Sequence, residues 1–129
     1  AWQVSNAPIL AMAPFLASLD IFKTVSQEDL WSKQSRLVSY MSFVIESIAA
    51  KAPFDIIILT PEHRGSQLSV YFQEHGRAIF DYLMSHGVVT DWREPNVMRF
   101  APVPLYNSFK DIHILGERLK EGINKVIVT

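Results

Sequence analysis

The chain contains no cysteine. That removes any disulfide frame and any thiolate metal site, and it agrees with an expected cytoplasmic location. Charge is scarce too: charged residues make up 19% of the 129 residues, and the formal net charge is −1. A near-neutral balance gives no handle for nucleic acid or an acidic membrane surface, so neither is expected as a partner. No apolar run approaches the roughly 20 residues that a bilayer-crossing helix needs. The opening residues lack a charged stretch followed by a hydrophobic one, so no signal peptide is expected, and Ala1 reads as the start of the tail of a longer polypeptide. The four histidines, His63, His75, His86 and His113, are scattered without ligand spacing, and no metal is expected. A Gly-x-Ser-x-Gly elbow and a phosphate-binding glycine loop are also missing; Arg64-Gly65-Ser66 is a single glycine in a turn.

What the chain does have is apolar residues, 49% of the total, enough for the core of a single domain spanning 1–129. Ile9 to Phe22 is almost wholly apolar, which predicts a buried helix, with Pro14 expected to kink or restart it. Ser26-Gln27-Glu28-Asp29 offers a hydroxyl cap and first-turn acids for a helix to about Lys51. Its expected inner face is Leu30, Leu37, Met41, Val44 and Ile48. Asp55 to Thr60 carries a continuous apolar run and reads as a strand covered on both sides. Gln67 to Phe72 alternates, so it should be buried on one side only. Gly76 to His86 reads as a short helix ended by Gly87. Ser108 with Asp111 resembles a capping box for a last helix with Ile112, Leu115, Leu119 and Ile123 inward. The expected fold class is α+β, a small, mostly antiparallel sheet with helices packed on one face.

Between the last two helices lies the most informative stretch, Gly87 to Ser108. Val88 to Arg93 and Val97 to Ala101 are β-rich and separated only by Glu94-Pro95-Asn96, so they must form a hairpin. Arg99 sits inside the second strand. Alternation puts it on one face with Val97 and Ala101, and puts Met98 and Phe100 on the other. A guanidinium keeps its charge and is rarely buried without an anion. Two readings are open: Arg99 pairs with a carboxylate of the chain itself or lies on a solvated face, or it awaits the carboxylate of a ligand.

The run Val97-Met98-Arg99-Phe100-Ala101-Pro102-Val103-Pro104-Leu105-Tyr106-Asn107-Ser108-Phe109-Lys110-Asp111, preceded by Gly87 to Pro95, resembles the C-terminal part of kynureninase. Trp2 to Ile9 and His63 to Ser69 agree with it. The resemblance implies the C-terminal small domain of a fold type I enzyme that depends on pyridoxal 5'-phosphate. It implies hydrolysis of L-kynurenine or 3-hydroxykynurenine to anthranilate or 3-hydroxyanthranilate plus L-alanine, in tryptophan catabolism by a cytoplasmic homodimer. In it Arg99 matches the arginine that takes the amino-acid carboxylate, while Ser5 and Asn6 match a pair placed near the aromatic end of the substrate. From spacing alone, Asn6 reads equally as a turn or cap residue ahead of Ala7-Pro8. The family departs from this sequence at Ala7, where proline is usual, and at Phe100, where valine is common. None of the six lysines (23, 33, 51, 110, 120, 125) sits in a pattern that buries it, and in the family the cofactor lysine belongs to the preceding large domain. The chain is therefore expected to hold no catalytic residue and no cofactor-binding residue, and to be inactive without that missing large domain. Two alternatives share the same features: the small domain of a desulfurase- or aminotransferase-like enzyme, and a non-enzymatic interaction module.

Overall fold

A computed structural model describes Asn6 and residues 8–128. The elements run α1 (Ile9–Phe22), α2 (Gln27–Ala49), β1 (Ile56–Ile58), β2 (Leu68–Phe72), α3 (Gly76–Ser85), β3 (Asp91–Arg93), β4 (Val97–Phe100) and α4 (Phe109–Val128). They divide into two compact units, Ala1–Trp31 and Ser32–Thr129.

In the first unit, α1 runs through Pro14 as one helix. It buries none of its residues, and Ile9, Leu10 and Phe15 are exposed. The apolar content correctly signalled a helix, but nothing among the described residues buries it. Ser26 caps the start of α2 as expected, its Oγ accepting from the backbone N–H of Asp29 at 3.0 Å.

The second unit is a four-stranded, wholly antiparallel sheet in the order β1-β2-β4-β3. Its register follows from alternation. Leu68, Val70 and Phe72 of β2 and Met98 and Phe100 of β4 all point into one core. Slipping either strand by one residue would turn that set to the opposite face, so burial fixes the register. Leu37, Met41, Ile45 and Ile48 of α2, Ile79 and Leu83 of α3, and Ile112, Leu115, Leu119 and Ile123 of α4 complete the same core. The α+β architecture, with its small antiparallel sheet and helices against one face, is the expected one.

Two details differ from expectation. β1 is an edge strand with Ile57 half exposed, so it is covered on one face only. On α2 the buried stripe is Leu37, Val38, Met41, Ile45 and Ile48, and Leu30 and Val44 lie at its margin. The Ser108–Asp111 box forms as expected: Asp111 Oδ2 accepts from Ser108 N–H at 2.7 Å, and Ser108 Oγ accepts from Asp111 N–H at 3.3 Å. Gly87 ends α3 with φ of 80°, a conformation that costs an L side chain.

Candidate functional site

The β3–β4 hairpin closes on Arg93 and Val97, which makes Trp92 face Met98 and Asp91 face Arg99. Trp92 and Met98 turn toward the core, where Trp92 packs on Phe80. Asp91, Arg93, Val97 and Arg99 therefore lie on the outer face, beside Ser69 and Tyr71 of β2. The core residues on either side of Arg99 in sequence hold its backbone, and alternation carries its side chain outward.

Arg99 is 32% exposed. Its Nε donates to Oδ2 of Asp91 at 2.5 Å, and its Nη2 meets the same oxygen. Arg93 Nε donates to that oxygen as well, at 3.0 Å. One carboxylate thus serves two guanidiniums, and the cluster carries a net positive charge. The hydrogen bond from Arg99 holds the Asp91 carboxyl below its ordinary pKa, and Arg93 adds to the effect against partial desolvation. Thr90, just before β3, fixes the backbone, its hydroxyl donating to the Arg99 carbonyl at 2.5 Å.

The internal-carboxylate reading of Arg99 is thus realised in part. Asp91 occupies the side of the guanidinium, but the group is not buried, and no partner of Nη1 occurs among the described residues. Asp91 does not stand out from the sequence by residue type. The signal is one of counting: a three-residue connection closing on 93 and 97 places residue 91 opposite residue 99.

The other expected site residues are less informative. Asn6 is exposed and lies in the other compact unit. The N-cap of α1 is Pro8 and carries no side-chain cap bond, so Asn6 is not that cap. Ser5, Ala7 and Trp2 lie outside the described residues. Arg64 serves the fold, since its Nη2 donates to the buried hydroxyl of Ser42 at 2.8 Å and its Nη1 to the Pro61 carbonyl at 3.2 Å.

A cavity of about 660 Å³ opens on the core side of the hairpin's exit, between Val88, Phe100, Pro102, Asn107, Ile112 and Leu115. Arg99 does not line it. Two polar side chains there serve the fold: Asn107 Oδ1 accepts from Val103 N–H, and Asp111 caps α4. Its walls are mixed, with the apolar Val88, Phe100 and Ile112 beside the polar Tyr106, Asn107 and Asp111.

Five of the six lysines are exposed and Lys33 is half-buried. Lys23 pairs with Asp20 and Lys120 with Glu117, both exposed; Lys33 donates to the Pro104 carbonyl; Lys125 lies over the Tyr82 ring. Lys51 and Lys110 are exposed. None occupies a dry pocket that would make an amine nucleophilic.

Comparison with known proteins identifies the family of the chain. The family described as "Kynureninase C-terminal domain" matches residues 30–119. The kynureninase of Flavobacterium johnsoniae is 48% identical over 95% of this chain, and that of Flavobacterium psychrophilum is 50% identical over the same share. The chain spans 29% of the length of each. Among solved structures, a C-DES mutant with glycine covalently linked to its PLP cofactor aligns over 93% of this chain and 31% of its own, with TM-score 0.67 and 17% identity. A NifS-like protein aligns over 73% of this chain and 28% of its own, with TM-score 0.61 and 16% identity. These two likenesses show a shared fold.

Proposed function

Because the chain belongs to the kynureninase C-terminal domain family, we propose that it is the substrate-binding portion of a kynureninase. The whole protein would hydrolyse L-kynurenine or 3-hydroxykynurenine to anthranilate or 3-hydroxyanthranilate and L-alanine. Pyridoxal 5'-phosphate, held by a lysine elsewhere in the polypeptide, would supply the electron sink for that reaction. This chain's lysines do not fit that role, so its own contribution is recognition.

The observation that carries the reading is Arg99: a permanently charged, partly exposed guanidinium, braced from one side, in a domain whose relatives are kynureninases. Arg99 binds the α-carboxylate of the amino acid through two parallel charge-assisted hydrogen bonds. Asn6, with Ser5, donates to or accepts from polar groups at the aromatic end. The bare apolar surface of α1 is covered by the remaining polypeptide that the relatives possess, and the whole enzyme acts as a cytoplasmic homodimer.

Charge-assisted hydrogen bonds contribute about 1.5–3 kcal/mol each, so losing both in Arg99→Ala in the full-length protein should cost about 3–6 kcal/mol and raise KM for kynurenine by roughly 10²- to 10⁴-fold. Cofactor affinity should be unchanged. Unaltered KM and kcat would refute the assignment. Assay of the unsubstituted protein on kynurenine, cysteine and other amino acids separates this reading from a desulfurase- or aminotransferase-like enzyme.

A further inference from the structure

We propose that Asp91 is the positioning residue of Arg99: its carboxylate grips the Nε/Nη2 side of the guanidinium and so presents the Nη1/Nη2 end to an incoming α-carboxylate. The inference rests on the carboxylate-binding reading of Arg99 given above.

A guanidinium has two edges able to bind a carboxylate, the side formed by Nε with one Nη and the end formed by the two Nη groups. Asp91 uses only the side. Both of its contacts with Arg99 go through one oxygen, Oδ2, to Nε and Nη2. The end edge has no partner at Nη1 among the described residues, and the residue is partly open to solvent. An arginine free to rotate would lose much of its rotamer freedom on gripping a ligand, and that loss would weaken binding. Here the loss is met in advance. Asp91 restrains the guanidinium, while the hydroxyl of Thr90, the residue before that edge strand, pins the Arg99 carbonyl.

Arg93 decides between a brace and a competitor. If substrate had to evict Asp91, the displaced carboxylate would leave Arg99 but stay bound to Arg93, which donates to the same oxygen. Eviction would therefore break a three-membered charge cluster to form one new pair. Binding at the end edge keeps every existing bond and adds two. With two guanidiniums and one carboxylate, the cluster also retains one positive charge to meet one carboxylate.

Asp91 is 48% exposed on an edge strand, so Asp91→Asn, which keeps its shape, leaves the fold intact. The test is a cycle in the full-length protein: Asp91→Asn, Arg99→Ala and the double variant, each assayed for KM and kcat on kynurenine and for cofactor absorbance. Asp91→Asn should raise KM by about tenfold with kcat changed by less than about twofold, because misplacing a binding group is felt strongly even when it remains present. The double variant should match Arg99→Ala, since a residue acting only through Arg99 has nothing further to lose. If Arg99→Ala leaves KM unchanged, the carboxylate reading fails and the role of Asp91 falls with it. If Arg99→Ala raises KM while Asp91→Asn leaves KM unchanged or lowers it, or if the two effects multiply, Asp91 is not a brace and this inference alone is overturned.

Discussion

Alanine placed at three of the glycines should give three different outcomes, and the sharpest is at Gly116. A Cβ there would lie 2.6 Å from Cγ1 of Val44, closer than real Cβ contacts come. Valine in a helix is held almost entirely in one χ1 rotamer, so Cγ1 cannot swing away and α2 and α4 must part instead. Replacing a mid-helix glycine by alanine gains about 1 kcal/mol in propensity. Overpacking a fitted interface costs about 1–3 kcal/mol. Gly116→Ala should therefore be neutral to about 2 kcal/mol destabilising, against the propensity scale. Urea unfolding followed by circular dichroism measures it as a lowered midpoint at constant slope. In a Val44→Ala background the obstacle is gone, and the same change should stabilise by about 1 kcal/mol. Gly65 faces open space, and alanine there should be mildly stabilising, by about 0.4–1 kcal/mol through the unfolded chain. Gly87 also has space but sits at φ of 80°, so alanine there should cost about 1–2 kcal/mol. A full kcal/mol of stabilisation by Gly116→Ala in the unmodified chain would refute the close approach of α2 and α4.

Met98→Ala empties a fully buried site under the sheet and should lose about 2–5 kcal/mol in the same unfolding assay, whereas Ile127→Ala, half exposed, should stay within about 1 kcal/mol. Ser108→Ala removes the hydroxyl of the α4 cap and should cost about 1 kcal/mol, with protection of the first α4 amides lost in hydrogen exchange. Asp91, Asp111, Glu117 and Glu121 are all held below their ordinary values, by Arg99, by the Ser108 backbone N–H, by Lys120 and by Arg118 respectively. Depressed carboxylates bind fewer protons folded than unfolded. Their contribution is present above the ordinary carboxylate range and is lost as pH falls through the folded values. The unfolding midpoint should thus rise with pH up to about 5, levelling off as far as these groups are concerned; a midpoint that falls between pH 3 and 5 would contradict the pairings.

The sequence is readable where a local rule and the global packing agree. The Ser108–Asp111 box, the inward stripe of α4 and the alternation of Leu68, Val70 and Phe72 each depend on residues close in the chain. It misleads where burial depends on what surrounds an element. Ile56-Ile57-Ile58 looks like a central strand because three isoleucines cannot record that, among the described residues, no strand pairs beyond β1. Ile9 to Phe22 looks buried, and in this chain no residue of it is. The partner of Arg99 is legible in principle, because the hairpin's closing pair fixes every pair after it. Alternation alone does not reveal it, since the faces of two strands can be known without the register that sets residue against residue.

Alternation ties the stability of this domain to the function proposed for it. Met98 and Phe100 are buried on one face of β4, and Arg99 between them is thrown to the other by the pleat alone. The same is true across the hairpin, where Trp92 faces inward and Asp91 and Arg93 outward. The core thus does not merely carry the charged cluster; it determines the register in which one carboxylate can reach two guanidiniums. A one-residue slip of β3 against β4 would cost the Trp92–Met98 contact and separate Asp91 from Arg99 in the same step. Substitutions under the sheet should for that reason weaken recognition in proportion to how far they loosen this hairpin, even though none of them touches a ligand.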